Sequence, residues 1–146
     1  MILYPVDWSA HSLGVANYMR EHAEERGLNP DDMWLLGLLH DIGNIYDNDS
    51  HAEFGAAMLA HAGFKPSLLD AVRHHMLPGN KVRELYGESA LTAEYNLLVE
   101  ADGHIDSKGR RVTLEERLED VRRRYGENHK VYKTSLEGYK YLKSIE

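Results

Sequence analysis

With 146 residues, of which 42% are hydrophobic, the chain can bury the core of one ordinary globular domain. Its formal net charge of −7 argues against an extended nucleic-acid face, which requires a concentrated basic surface. The absence of cysteine excludes disulfides and thiolate metal sites, and no apolar run is long enough to span a bilayer. The N-terminus lacks the basic and apolar segments of a secretory signal, so we expect a cytoplasmic protein.

The first half of the chain predicts helices joined by short breaks. A first helix is expected from a cap at Ser9 to about residue 26, where a glycine ends it. Asn29 and Pro30 then open a second helix that runs to about Ile42. This second helix is apolar nearly all round, which predicts a central and buried position.

The remaining helices follow the same pattern of apolar periodicity and capping residues. They are expected at residues 51–62, 66–75, 91–105, 114–125 and 131–142, with a short segment at 82–86. Thr113 and Glu116 have the spacing of a capping box. No segment alternates as a strand would, so we predict an all-α, compact, single-domain bundle of about six to seven helices over residues 1–146. Its motif-bearing core would cover about residues 9–111, and its C-terminal helices about residues 113–144.

Two polar side chains end the second helix, where the core pattern predicts none. A buried ionised aspartate beside a histidine is costly unless a partner compensates its charge. Adjacent helical positions point about 100° apart, so His40 and Asp41 cannot serve each other face to face. A metal ion at the helix end would resolve this cost, and Gly43 would let the backbone turn away sharply. With nine histidines and no cysteine, the available ligands suit one or two ions of Fe, Mn, Co, Ni or Zn.

These residues resemble the H…HD…D signature of the HD superfamily, in its HDIG form. The signature is carried by His11, by HDIG from His40 to Gly43, and by the AD pair ending at Asp102. Two further runs are similar to family helices, namely HAEFGA beginning at His51 and AVRHH ending at His75. The match covers about residues 9–111 in the family's order.

The resemblance implies a helical metal-dependent phosphohydrolase with its ligands at conserved motif positions. A first metal ion would be bound by His11, His40, Asp41 and Asp102. Asp41 would bridge to a second ion held by His51 and His75, with His74 as an alternative or additional ligand. His40 and Asp41, at the centre of this set, are the implied catalytic residues.

Such a site suits phosphoester hydrolysis, because two ions about 3.5–4 Å apart can clamp a phosphate oxygen and activate a water. We therefore expect the substrate to be a nucleotide or another small phosphorylated metabolite. The basic residues Lys108, Arg110 and Arg111 follow Asp102 closely and are candidates to bind its phosphate. Exposed tyrosine and leucine side chains on the last helix would be compatible with a homodimer.

Two alternative functions remain open at this point. The di-iron oxygenases of the HD superfamily carry a similar set of six ligands, so spacing does not separate them from the hydrolases. The other alternative is a non-catalytic HD module that binds a ligand without turning it over.

Overall fold

The computed structural model describes residues 6–45 and 50–146, with side chains over 10–44 and 50–146. Its α-helices in these ranges are α1 (Val6–Ala23), α2 (Pro30–Leu39), α3 (His51–His61), α4 (Pro66–His74), α5 (Gly79–Tyr86), α6 (Ala93–His104), α7 (Leu114–Tyr125) and α8 (Lys130–Ile145). Short 3₁₀ helices occupy Glu24–Arg26, Ile42–Ile45 and Glu88–Ala90. The described ranges contain no strand, only one isolated antiparallel bridge between Ile105 and Arg111. The all-α prediction is therefore confirmed.

The predicted number of helices, six to seven, was too low, because eight occur within the described ranges. The additional one is α5, which was predicted only as a short segment. Pro78 precedes it in an extended conformation, and the backbone N–H of Gly87 closes its last turn on the carbonyl of Arg83. Its apolar side buries Val82, so packing completes a helix that local sequence indicated weakly.

Helix caps follow the sequence at two of the three predicted positions. The side chain of Asn29 accepts a hydrogen bond from the backbone N–H of Asp32, and Thr113 and Glu116 form the reciprocal bonds of a capping box. The predicted cap at Ser9 was wrong, because α1 begins three residues earlier, at Val6.

The core lies where α1, α2, α3, α4 and α6 meet. It includes Val15, Met19, Met33, Leu36, Ala56, Leu59, Leu68, Val72, Tyr95, Leu97 and Leu98. Helices α1 and α2 approach closely, since a Cβ added to Gly37 would lie 2.7 Å from the Cα of Ala16. Within the described ranges, no helix is both long and apolar enough to cross a membrane.

One face of α2 departs from the prediction of a fully buried helix. Leu35 is 38% exposed, and the indole N–H of Trp34 donates to the side chain of Asn17 at 3.1 Å. The guanidinium of Arg20 lies over the Trp34 ring, 4.9 Å from its centroid. Polar side chains of α1 thus cover an apolar surface that the sequence pattern assigned to the core.

Helices α7 and α8 form a pair beside α5 and α6. Leu142 buries its side chain in this interface, and the Tyr139 hydroxyl donates to the carboxylate of Glu115 on α7 at 2.9 Å. Tyr141 packs against the backbone of α5, because a Cβ added to Gly79 would lie 2.0 Å from its ring. The C-terminal pair thereby closes one side of the helix ends that carry the predicted ligands.

Candidate metal centre

Most of the predicted ligands lie at helix ends that converge in the core. His40 follows the last residue of α2, His51 begins α3, and His75 follows the last residue of α4. Asp102 lies in the last turn of α6, while His11 lies within α1. Because α2 and α4 end here, their last carbonyls are free to accept side-chain hydrogen bonds.

The potential ligand atoms form two sets, and within each set all of the atoms lie within 4.8 Å of one another. The His11 group contains His11, His40 and Asp102, and the His75 group contains His40, Asp41 and His75. His51 joins the second set through its Nε2 atom, which lies 3.1 Å from Oδ1 of Asp41. The structure therefore brings together all six residues named as metal ligands.

Backbone carbonyls orient three of the histidine rings in the same way. Each ring places Nδ1 against a carbonyl oxygen: Asp106 for His11 (3.0 Å), Gly37 for His40 (2.6 Å) and Val72 for His75 (2.6 Å). A carbonyl can only accept a hydrogen bond, so Nδ1 carries the proton in each ring. The Nε2 lone pair of a neutral ring then faces the centre, as in a metal-ligating histidine.

The inward-facing Nε2 atoms lie against carboxylates, and Nε2 of His75 also lies 3.2 Å from Nε2 of His51. Nε2 of His11 lies 2.7 Å from Oδ1 of Asp102, and Nε2 of His75 lies 3.3 Å from Oδ1 of Asp41. Nε2 of His40 lies 3.2 Å from Oδ2 of Asp41, but it is fully buried and forms no hydrogen bond within the described ranges. Lone pairs facing lone pairs repel, so each of these contacts requires a positive charge, either a proton on Nε2 or a bound cation.

The pKa values of these side chains also indicate that a positive charge stabilises the two carboxylates. Burial would raise the pKa of both Asp41 and Asp102, but neighbouring histidines lower each well below its usual range. Burial would lower the pKa of His40, yet the carboxylates of Asp41 and Asp102 raise it well above 6.5. For His75 burial dominates and lowers the pKa, which favours the neutral, ligating form. A divalent cation would satisfy both carboxylates at once.

The donor set and its spacing fit such an ion. Nitrogen and oxygen ligands lie about 2.0–2.2 Å from a transition metal, so two ligands at right angles are about 3 Å apart. The observed N···O separations of 2.7, 3.1, 3.2 and 3.3 Å are of this size. Imidazole with carboxylate and without sulfur suits Fe, Mn, Co, Ni or Zn.

Gly43 positions the second half of the site by close approach. A Cβ at this residue would lie 1.8 Å from the carbonyl oxygen of His51, so only glycine lets the end of the HDIG run contact the start of α3. Gly43 was predicted to let the backbone turn away sharply, but its φ is not positive. Its role is therefore steric, and it holds His51 next to Asp41.

His74, named as an alternative or additional ligand, lies apart from both groups. Its ring stacks on Tyr86 with centroids 4.3 Å apart, and its Nδ1 forms no hydrogen bond within the described ranges. Burial lowers the pKa of His74. Of the paired histidines, the structure brings His75 to the ligand cluster.

The basic residues of the 106–111 loop pair with acids outside the ligand cluster. Arg110 donates to the carboxylate of Asp106 at 2.9 Å, and Arg111 pairs with Glu21 on α1. The exposed Lys108 donates its backbone N–H to the same Asp106 carboxylate. The loop reaches the site through its backbone instead, since the Asp106 carbonyl accepts the His11 bond.

Arg117 on α7 is a site residue that sequence reasoning missed. Its Nε donates to the carbonyl of Asp102 at 3.0 Å, and its Nη2 lies 3.6 Å from Oδ1 of the same residue. Nη1 lies 3.3 Å from the carboxylate of Asp120. The only local signal is the i,i+3 spacing of Arg117 and Asp120, which is common on exposed helices.

Several known proteins are similar to this chain in sequence. The HD domain family model matches residues 8–119. Ribonuclease Y of Thermus thermophilus is 38% identical over 73 residues, covering 48% of this chain and 13% of that protein. Ribonuclease Y of Fervidobacterium nodosum is 41% identical over 69 residues, covering 45% of this chain and 13% of that protein. Ribonuclease Y of Petrotoga mobilis is 32% identical over 98 residues, covering 65% of this chain and 18% of that protein. The chain thus spans less than one fifth of these curated relatives. No solved structure matches.

Proposed function

The chain belongs to the HD domain family, whose members are generally metal-dependent phosphohydrolases, and we propose that it hydrolyses the phosphoester of a small phosphorylated metabolite or nucleotide. One observation carries this proposal. Three imidazoles held by backbone carbonyls turn their Nε2 atoms toward two partly buried carboxylates, and Nε2 of His40 forms no hydrogen bond within the described ranges. A cation-binding function explains why such a costly arrangement is retained.

The proposed ligand assignment follows the two groups. The first ion would be held by His11, His40, Asp41 and Asp102. Asp41 would also contact a second ion together with His51 and His75, because both Nε2 atoms lie close to its Oδ1. When bound, such ions lower the pKa of a coordinated water and polarise a phosphoryl oxygen.

The protein's own residues would orient the reactants. The hydrogen bonds that Nδ1 donates to backbone carbonyls fix the histidine rings, so the rings need not change rotamer when an ion binds. The guanidinium of Arg117 lies beside Asp102 with 17% of its side chain exposed, and it would pair with a phosphate placed next to that carboxylate. We assign the phosphate contact to Arg117 because it lines the cavity beside Asp102, whereas the side chains of Arg110 and Arg111 pair with acids outside the ligand cluster.

A small substrate is favoured over a polynucleotide. The relatives are named as ribonucleases, but they are much longer than this chain, and only part of each is comparable. The net charge of −7 disfavours binding along a nucleic-acid backbone. A cavity beside the ligand cluster, lined by Asp102 and Arg117, offers a confined place for a compact ester.

Elemental analysis of protein purified without chelators tests the metal centre. We expect about two transition-metal ions per wild-type chain and about one in His51→Ala, because that variant removes a ligand of the second ion only. His74→Ala is the matched control, since His74 is an equally buried histidine next to His75 and should leave both ions bound.

Turnover is then tested with the metal-loaded protein and a panel of phosphomonoesters and an RNA oligonucleotide. Release of inorganic phosphate from small esters, lost in His51→Ala, would support the proposal. Absence of bound metal after titration would contradict it. Oxygen uptake without phosphate release would favour the oxygenase alternative.

A further inference from the structure

A cavity of about 100 Å³ lies between α6, α7 and α8, directly beside the ligand cluster. His75 and Asp102 line it at one end, together with Arg117. Its other walls are mainly apolar and include Val99, Leu114, Leu118, Val121 and Leu142. A ligand that fills this cavity would therefore combine an anionic end at the ligand cluster with an uncharged apolar group.

Helix α8 supplies one wall, and it lies entirely beyond the residues that the family model matches. Three contacts fasten it there: Tyr139 donates to Glu115 at 2.9 Å, Lys143 pairs with Glu115 at 3.0 Å, and Tyr141 packs on the backbone of Gly79. The cavity is thus a feature of this chain's own C-terminal helix and not of the ligand-bearing helices alone.

Two glycines line the cavity and differ in their surroundings. A Cβ added to Gly103 on α6 would lie 2.7 Å from Leu142 and 3.1 Å from Leu114, so that glycine permits close packing. A Cβ added to Gly138 on α8 would meet no atom within 4 Å. Gly138 sits inside a helix, where glycine is less favourable than alanine, and no neighbouring atom requires a glycine there.

We propose that this cavity binds the organic group of the substrate, that this group is a single apolar ring or a branched alkyl chain, and that Gly138 is a specificity-determining residue. The inference rests on the proposed function, because it takes the phosphate to lie at the ligand cluster. An apolar cavity of roughly 150 Å³ holds one benzene molecule, so about 100 Å³ sets an upper limit of one ring and leaves no room for a whole nucleoside.

Binding of two phosphonates to the Mn²⁺-loaded protein tests the assignment by calorimetry. Methylphosphonate and phenylphosphonate share an anionic head group and differ in the group offered to the cavity. Because burial of a ring removes a large apolar area from water, we expect phenylphosphonate to bind at least about tenfold more tightly to the wild type.

Gly138→Leu should fill the cavity and abolish this preference, while methylphosphonate affinity changes less than about twofold. Gly138→Ala adds one carbon where there is free space and should reduce the preference partly, which covers the case in which the larger variant folds poorly. Lys140→Leu introduces the same side chain at an exposed position of α8 that does not line the cavity, and it should retain the preference.

The metal-free protein separates failure of this inference from failure of the proposed function. Phenol should bind to it weakly, detected by ¹H NMR, and this binding should be lost in Gly138→Leu. If neither phosphonate binds the wild type but phenol does, the phosphate assignment fails and the cavity assignment stands. Equal affinities of the two phosphonates in the wild type, or an equal loss of both in Gly138→Leu, would overturn the cavity assignment.

Discussion

The His11 group and the His75 group share His40, but the fold supports them differently. The His11 group joins residues 91 positions apart, and the packed helices α1, α2 and α6 carry its ligands. The 106–111 loop fastens it from outside, where Gly109 has a φ of 81° and packs on the carbonyl of Ala10. Support of this kind is distributed over many core contacts.

The His75 group joins residues that are closer in sequence, since Asp41 and His75 are 34 positions apart. Its ligands lie at the ends of α2 and α4 and next to the start of α3, where His51 contacts Asp41. The approach of α3 depends on the absence of a side chain at Gly43. Both halves of the proposed metal centre thus include close approaches at glycines, and the closest of these, at Gly43, lies in the second half.

The largest expected effect comes from Asp41, the residue assigned to both ions. Asp41→Ala should remove both ions and lower phosphohydrolase activity by about a thousandfold or more, because the carboxylate that the two ions share is lost. Metal content and kcat/KM on the best small ester measure the effect, with His74→Ala as the control. Retention of two ions in Asp41→Ala would refute the shared role, provided that circular dichroism shows both variants to be folded.

Gly43→Ala should separate the two groups. The added Cβ must push α3 away from the HDIG run, which should lower the free energy of unfolding by about 2–3 kcal/mol. The second ion should be lost while the first is retained, as measured by denaturant unfolding and elemental analysis. Gly138→Ala is the stability control, since its Cβ meets free space and should be neutral or stabilising. Loss of the first ion as well in Gly43→Ala would contradict the prediction that Gly43 supports the His75 group alone.

Substitution of Arg117 should have a smaller effect, because this residue contacts the ligand cluster through Asp102 of the His11 group. Arg117→Ala should weaken methylphosphonate binding to the Mn²⁺-loaded protein by roughly 10- to 100-fold, the value of a charge-assisted hydrogen bond. Arg117→Lys should restore part of the affinity, because the charge is kept and the planar fork is lost.

The smallest effects are expected in the 106–111 loop. Arg111→Ala and Lys108→Ala should change methylphosphonate affinity by less than about twofold, because one side chain pairs with Glu21 and the other lies exposed. A larger loss in these variants than in Arg117→Ala would return the phosphate contact to the basic loop.

Local sequence was sufficient for the helical class, for the caps at Asn29 and Thr113, and for naming six residues that the structure brings together. Caps depend on hydrogen bonds within three or four residues, and the ligand motifs are runs of adjacent or regularly spaced residues. Such features need no knowledge of which distant segments meet. The helix count failed at α5 because its stability depends on packing of Val82 rather than on a strong local signal.

Other properties depend on contacts between distant segments. His74 and His75 are adjacent and chemically identical, yet helix rotation by about 100° sends one to Tyr86 and the other to Asp41. Arg117 reaches Asp102 only because α7 packs on α6, while the loop that looked basic in sequence meets acids from α1 and from itself. The cavity at Gly138 arises from three helices together. Side-chain direction and the choice of partners are set by packing, because burial selects among arrangements that are locally almost equal in energy.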